Sequence, residues 1–84
     1  MKYTFYILYS KILNKFYIGH TADNISEHLR KHLSDHDGFT GKAKDWVIYY
    51  TEIYKTKSEA FKREREIKSW KSAERIERLI LQRR

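Results

Sequence analysis

The 84-residue chain contains no cysteine, no proline and only three glycines. Without cysteine it cannot build a disulfide framework or a thiolate metal site, and we expect a reducing cytoplasmic environment. No apolar run approaches the roughly 18 residues that a membrane-spanning helix requires. No basic-then-apolar signal peptide follows Met1. These absences predict a soluble, cytoplasmic chain with no membrane partner.

The length and the charge narrow the class of protein further. A chain of 84 residues can bury one modest core, so we expect a single domain over residues 1–84. The formal net charge is +7, and residues 55–84 carry eleven basic against five acidic side chains, whereas residues 1–54 carry seven against six. This basic C-terminal third, in a chain that is 15% aromatic, favours a phosphate-bearing partner such as nucleic acid. A soluble helix rich in lysine and arginine is the alternative.

The N-terminal segment predicts a β-hairpin. Aromatic and β-branched residues indicate strands over Lys2–Tyr9 and Phe16–His20, with a turn at residues 11–14. If the loop spans about residues 10–13, Tyr6 lies directly opposite Tyr17, and both phenols project from one face of the hairpin.

The rest of the chain predicts a third strand and three helices. Asn24 is suited to cap a helix over Ile25–Asp35, and residues 36–45 are polar and glycine-containing, as in a loop. A strand follows over Trp46–Tyr54, with Val47, Tyr49, Thr51 and Ile53 expected on one side. A second helix runs from Thr56 or Ser58 to Trp70, and a third covers about residues 72–81. The order ββαβαα predicts an α+β fold, a small three-stranded antiparallel sheet flanked by helices.

Glu64 interrupts an apolar stripe on the second helix. It lies four residues after Ala60, three after Phe61 and three before Ile67, so it shares their helical face. A carboxylate half-buried against a sheet is costly unless it meets a cation, a metal or hydrogen-bond donors. The structural alternative is an ion pair with Lys68, or a side chain that bends out to water.

Two further groups of residues have both structural and functional interpretations. Tyr6 and Tyr17 either support the hairpin or act on a substrate, and a phenol that accepts a proton needs a pKa well below about 10. His28, His32 and His36 recur at intervals of four and share one helix face. They lack the HExxH pattern, and we do not expect a structural zinc site there.

Several of these residues together resemble the GIY-YIG nuclease family. Thr4-Phe5-Tyr6, ten residues, and then Tyr17-Ile18-Gly19 resemble its paired motif, although Thr-Phe-Tyr replaces Gly-Ile-Tyr. The strand at residues 46–50 and the helical stretch Glu59–Lys68 are also similar. The resemblance covers residues 3 to about 72 and is closest to small stand-alone members of the family.

The resemblance implies a site and a chemistry. It implies that Glu64 holds one divalent cation, Mg²⁺ or Mn²⁺, that Tyr6 and Tyr17 line the site, and that one phenol helps to deprotonate the attacking water. His20 is implied as a proton carrier, and Gly19 as the residue that lets the chain turn closely beside the substrate.

One departure from the family pattern bears on activity. The family has an arginine on the first helix where alignment on Leu29 places His28, and histidine offers at most one donor to a phosphate where arginine offers two. Arg30 lies about 200° around the helix from His28, so we do not expect it to substitute.

Three functions remain open from the sequence. The first is a metal-dependent DNA endonuclease that uses Tyr6, Tyr17, His20, His28 and Glu64. The second is a catalytically impaired nucleic-acid-binding module on the same fold. Its basic contacts would be Lys62, Arg63, Lys68, Lys71 and Arg75. The third is a generic interaction domain, which leaves Glu64 unexplained.

Overall fold

A computed structural model describes residues 2–34 and 43–82. Strands β1 (Tyr3–Ser10) and β2 (Lys15–Thr21) precede helix α1 (Ile25–Ser34), and strand β3 (Val47–Tyr54) precedes helices α2 (Lys57–Trp70) and α3 (Ala73–Gln82). The strands form one antiparallel sheet in the order β2-β1-β3. This confirms the predicted α+β class and the order ββαβαα. The predicted helix end at Asp35 and most of the predicted loop at 36–45 lie outside the described residues.

β1 is the central strand, and both of its faces are buried. Phe5 and Ile7 pack with Ile67 of α2 and Ile76 of α3 on one side of the sheet. Since successive side chains of a strand point to opposite faces, Tyr6 and Leu8 project to the other side. There they pack with Trp46 and with the apolar stripe of α1. We call these the α2 face and the α1 face. No helix within the described residues is long and apolar enough to cross a membrane.

The hairpin register differs from the predicted one by two residues. Tyr6 pairs with Gly19, and Tyr17 pairs with Leu8, so the two tyrosines are diagonal neighbours and not directly opposed. The strands extend to Ser10 and from Lys15, and residues 11–14 form the turn. A shift of two residues preserves the side-chain face, because alternation in a strand has a period of two. Both phenols therefore still share the α1 face.

A register shift in β3 overturns the prediction that four of its residues share a side. Ile7 pairs with Tyr50 and Leu8 with Ile48, so Tyr49 is the extra residue of a bulge. Tyr49 stacks on Tyr9 on the α2 face, with ring centroids 4.9 Å apart. Thr51, beyond the bulge, pairs with Tyr6 on the α1 face. The bulge therefore places Val47, which pairs with Tyr9, and Thr51, which pairs with Tyr6, on opposite faces of the sheet.

The helices begin and end at recognisable signals. The Asn24 side chain accepts a hydrogen bond from the Ser26 backbone at 2.9 Å, which confirms the predicted cap of α1. Thr56 caps α2 by accepting from the Glu59 backbone. α2 ends at Trp70, and its C-cap Lys71 has a φ of 49° and a ψ of 36°, in the left-handed region that usually carries glycine after a helix. Ala60 and Ile67 are the buried residues of α2.

Candidate active site

Tyr6, Tyr17 and His28 come together on the α1 face. The rings of Tyr6 and Tyr17 stack, with centroids 6.4 Å apart and an interplanar angle of 17°. The Tyr6 Oη lies 2.9 Å from His28 Nε2, a hydrogen-bonding distance. The side chain of Tyr6 is 2% exposed. His28, which stands where the family has an arginine, therefore contacts the first motif tyrosine directly.

Gly19 leaves room for the Tyr6 phenol. A Cβ at this position would lie 2.5 Å from Tyr6 Oη and 2.8 Å from its Cζ. Gly19 lies within β2, two residues before the strand ends, and not at a turn toward the helix. The expectation that it turns the chain is therefore wrong. Its role is steric, because the phenol crosses the position that a side chain would fill.

Burial holds Tyr6 in its neutral form. The pKa of Tyr6 lies above its ordinary value of 10.0, first because burial disfavours the phenolate, and then because Tyr17 and Glu64 add unfavourable charge interactions. In the protein alone Tyr6 is thus a hydrogen-bonding phenol and not a base. The direction is opposite to the one that a proton-accepting tyrosine requires.

Glu64, His20 and Lys68 form a second cluster on the α2 face. His20 Nδ1 lies 2.7 Å from Glu64 Oε1, and Lys68 Nζ lies 3.0 Å from Glu64 Oε2. The side chains of His20 and Glu64 are 17% and 14% exposed, whereas that of Lys68 is 54% exposed. The edge of the Phe61 ring flanks His20, with centroids 5.8 Å apart. The anticipated pairing with Lys68 exists, and a histidine on β2 takes the other oxygen.

The two clusters approach each other at the open edge of β2. His20 follows Gly19 directly in the strand and projects to the opposite face. Among the strands that the structure describes, β2 lies at an edge of the sheet, so one of its sides is not paired with any of them. Because Gly19 has no side chain, the Tyr6 phenol reaches toward this edge from the α1 face, and Glu64 is near enough to raise its pKa.

The donor set suits one hard cation held mainly by water and substrate. No group of three or more His, Cys, Asp or Glu side chains within residues 2–34 and 43–82 is placed to hold a metal. A closed protein cage of such ligands is therefore not formed there. Mg²⁺ typically keeps several waters and takes one or two carboxylates plus phosphate oxygens. Glu64 Oε2, which is paired with the exposed ammonium of Lys68, fits that role.

Two of the five predicted basic contacts line one groove. Lys68 and Lys71 lie beside the β2 edge, lining the same groove. Arg63 instead donates to Glu52 at 2.9 Å and is 20% exposed, and Arg75 lies 4.4 Å from the centroid of the Trp70 ring. Lys62 is exposed on α2. Arg30, as expected, lies apart from His28 and pairs with Glu27.

Sequence reasoning missed Glu52 and Lys15. Glu52 accepts from Arg63, Tyr50 and Tyr54, and these bonds outweigh the effect of burial and lower its pKa. A carboxylate between aromatic residues of a strand is the signal that could have found it. Lys15 lines the groove beside Lys68 and Lys71, but nothing in the sequence brings a hairpin lysine to that place. The side chain of His32 and all of His36 lie outside the described residues.

Comparison with known proteins gives one match. A family model described as the GIY-YIG catalytic domain matches residues 2–77. Neither the curated proteins nor the solved structures include a significant match.

Proposed function

Since this chain belongs to the GIY-YIG family, a family of nuclease catalytic domains, we propose that it is a metal-dependent DNA endonuclease. It would hydrolyse phosphodiester bonds with one divalent cation, Mg²⁺ or Mn²⁺. The observation that carries the proposal is the half-buried Glu64 carboxylate at 2.7 Å from His20 and at the sheet edge reached by Tyr6. A carboxylate with a purely structural role would not need to lie beside the exposed edge of a strand.

Glu64 orients His20 as a proton acceptor. An ionised carboxylate only accepts hydrogen bonds, so the Nδ1 atom of His20 carries the proton in their 2.7 Å contact. In the neutral imidazole this leaves Nε2 with a lone pair, which can take a proton from an attacking water. The other carboxylate oxygen, Oε2, would hold the cation, and Lys68, now 3.0 Å from that oxygen, would then be available to a phosphate. When bound, the cation neutralises charge on the scissile phosphate and the leaving oxygen.

Tyr6 acts as a hydrogen-bond donor to the phosphate in this scheme. Its raised pKa keeps the proton on the phenol, so the base that the family resemblance assigns to a tyrosine is here better supplied by His20. Tyr17, stacked on Tyr6, fixes the direction of that ring. His28 holds the phenol from the helix side at 2.9 Å.

His28 makes the proposed enzyme a weak one. Arginine presents a permanently charged, two-donor group to a phosphate, whereas histidine near pH 7 is only partly protonated. The Nε2 atom of His28 is already engaged with Tyr6. We expect the loss of one charged donor to slow cleavage by about 10²–10³-fold relative to an arginine variant that contacts the phosphate.

A second function has its own supporting observation. Both oxygens of Glu64 are engaged, by His20 and by Lys68, and His28 replaces the family arginine. A site locked in this state binds nucleic acid without cutting it. Lys68 and Lys71, which line the groove beside β2, would then be the principal contacts, since Lys62, Arg63 and Arg75 do not line it.

A cleavage assay separates the two functions. Labelled single-stranded, duplex and branched DNA are incubated with Mg²⁺ or Mn²⁺ and the wild type, Glu64→Gln, His28→Arg or Glu66→Gln. Glu66 is the matched control, an exposed glutamate of the same helix that pairs with Arg63. We expect metal-dependent cutting that Glu64→Gln abolishes, Glu66→Gln retains and His28→Arg increases.

The other outcomes are equally definite. Cutting by His28→Arg but not by the wild type would identify an intact scaffold with a disarmed site and support the binding module. Equal cutting by Glu64→Gln and the wild type would refute the site. Binding without any cutting, steeply weakened by salt, would leave nucleic-acid recognition as the function.

A further inference from the structure

A groove runs beside the proposed site along the open edge of β2. It lies between this strand and the junction of α2 with α3 and has a volume of about 400 Å³. Tyr17 and Lys68 line it, and Lys68 also contacts Glu64. A nucleic-acid strand with a phosphate bound at Glu64 would therefore continue directly into this groove.

The floor of the groove is apolar. Ile18 and Ile76 are 9% and 6% exposed, and the half-buried Phe16 ring lies beside them. Phe16 is itself supported by the ring of Tyr9, with centroids 5.1 Å apart. An aromatic ring beside buried aliphatic side chains offers a flat apolar surface on which a nucleobase can lie.

The rim of the groove is cationic. Lys15, Lys68 and Lys71 line it, and none of its lining residues within 2–34 and 43–82 is acidic. Three ammonium groups above an apolar floor match the chemistry of a nucleotide strand, with phosphates outside and a base inside. A duplex conceals the faces of its bases in the stack, so only an unpaired base can use this floor.

Lys71 occupies the rim at a conformational cost. Its φ of 49° is one of two positive φ values at non-glycine residues within the described chain, and glycine is the residue that adopts it readily. A side chain kept at this position against backbone preference is consistent with a requirement for its charge.

We propose that this groove binds an unpaired nucleotide next to the scissile phosphodiester. The base lies on Phe16 and Ile76, and the adjoining phosphates contact Lys15, Lys68 and Lys71. The preferred substrate is accordingly nucleic acid with a single-stranded stretch beside the cut. This inference rests on the proposed function, since it takes the Glu64 cluster as the place of the scissile phosphate.

Two variants test the groove without weakening the fold. Lys71→Gly removes a rim charge and relaxes the left-handed position. Ala73→Glu adds a carboxylate to the groove in the first turn of α3, where an acidic residue favours the helix. Their controls make equal charge changes elsewhere. Lys55→Gln lies after β3, on the far edge of the sheet, and Ser58→Glu lies in the first turn of α2, about 20 Å from Lys71 along a helix of 14 residues.

Binding is measured by fluorescence anisotropy in EDTA, where no cleavage occurs, with single-stranded and blunt duplex oligonucleotides of one sequence. We expect the wild type to bind the single strand about tenfold more tightly, and an abasic site in the strand to cost about tenfold, as loss of a stacked base does. Lys71→Gly and Ala73→Glu should each weaken single-strand binding about fivefold. Lys71→Gly should also lower the salt slope by about 0.7. Thermal unfolding should show melting temperatures at or above that of the wild type for both.

Two results would refute the proposal that the groove binds an unpaired nucleotide. One is equal affinity of the wild type for single strand and duplex. The other is binding by Ala73→Glu that matches its Ser58→Glu control. Cleavage measured separately keeps the two proposals distinct. If the wild type never cuts but the groove variants lose affinity, the nuclease fails and the groove stands. If the wild type cuts and the groove variants bind normally, only the groove proposal is refuted.

Discussion

Replacing Gly19 with alanine should distort the site by a purely steric route. The added Cβ would meet Tyr6 Oη at 2.5 Å and Cζ at 2.8 Å, whereas ordinary contacts begin near 3.4 Å. Gly19 lies within β2 and has no positive φ, so alanine suits the backbone itself. The Tyr6 ring has little freedom to move away, because it is 2% exposed between Tyr17 and His28.

The expected magnitude is the difference of two effects. Overpacking a well-packed site costs about 1–3 kcal/mol. Alanine in place of glycine recovers about 0.4–1 kcal/mol by restricting the unfolded chain. The free energy of unfolding should therefore fall by about 1–2 kcal/mol, which corresponds to a melting temperature lower by about 5–15 °C for a domain of this size.

A double-mutant cycle with Tyr6→Phe isolates the clash. Tyr6→Phe alone should cost about 1 kcal/mol through loss of the bond to His28. In Gly19→Ala/Tyr6→Phe the closest contact, at Oη, is removed, so the double variant should be more stable than the sum of the singles predicts by about 0.5–1 kcal/mol. Chemical denaturation of the four proteins measures these terms. Full stability of Gly19→Ala, or strict additivity, would refute the steric role of Gly19.

Two predictions concern the rest of the fold. Glu52→Gln should lower stability at pH 7 by about 2 kcal/mol, because Arg63 loses its half-buried partner, while Glu66→Gln, which removes only the exposed partner of Arg63, should cost far less. The pKa of Glu52 is lowered by folding, so its contribution is present above its unfolded pKa and is lost as pH falls through the folded value. Wild-type denaturation midpoints should consequently fall more steeply below about pH 4.5 than those of Glu52→Gln, and parallel slopes would contradict this. Thr56→Ala should cost about 1 kcal/mol in thermal unfolding by removing the α2 cap, and a loss equal to that of the exposed neighbour Ser58→Ala would count against the cap.

Local patterns were sufficient to predict the secondary structure and to single out one candidate site residue. Alternating and helical periodicities located every described strand and helix, because short-range backbone preferences and apolar spacing decide them. Glu64 was identifiable because a carboxylate on an apolar stripe is costly without a partner. Its partnership with Lys68, four residues away on the same helix, followed from helical geometry alone.

Contacts between elements could not be predicted in this way. The pairing of Tyr6 with Gly19 depends on turn geometry, and a four-residue turn shifted the register by two residues. The bulge at Tyr49 depends on how β3 pairs with β1. Simple alternation predicts that Val47 and Thr51 share a face, and the bulge places them on opposite faces. The groove that Lys15 lines together with Lys68 and Lys71 brings β2 beside the C-terminal end of α2.

The sequence by itself therefore determined the order of elements, the Asn24 cap of α1 and the presence of an acidic residue on the inner face of α2, since each depends on neighbours within a few positions. Only the tertiary structure decided that His20 is the partner of Glu64 and that His28 contacts Tyr6. It also decided that Gly19 makes room for the Tyr6 phenol and does not form a turn. The first two contacts join residues 44 and 22 positions apart in the sequence, and the third joins residues on neighbouring strands. Their physical cause is the packing of helices on both faces of one sheet, which no local pattern encodes.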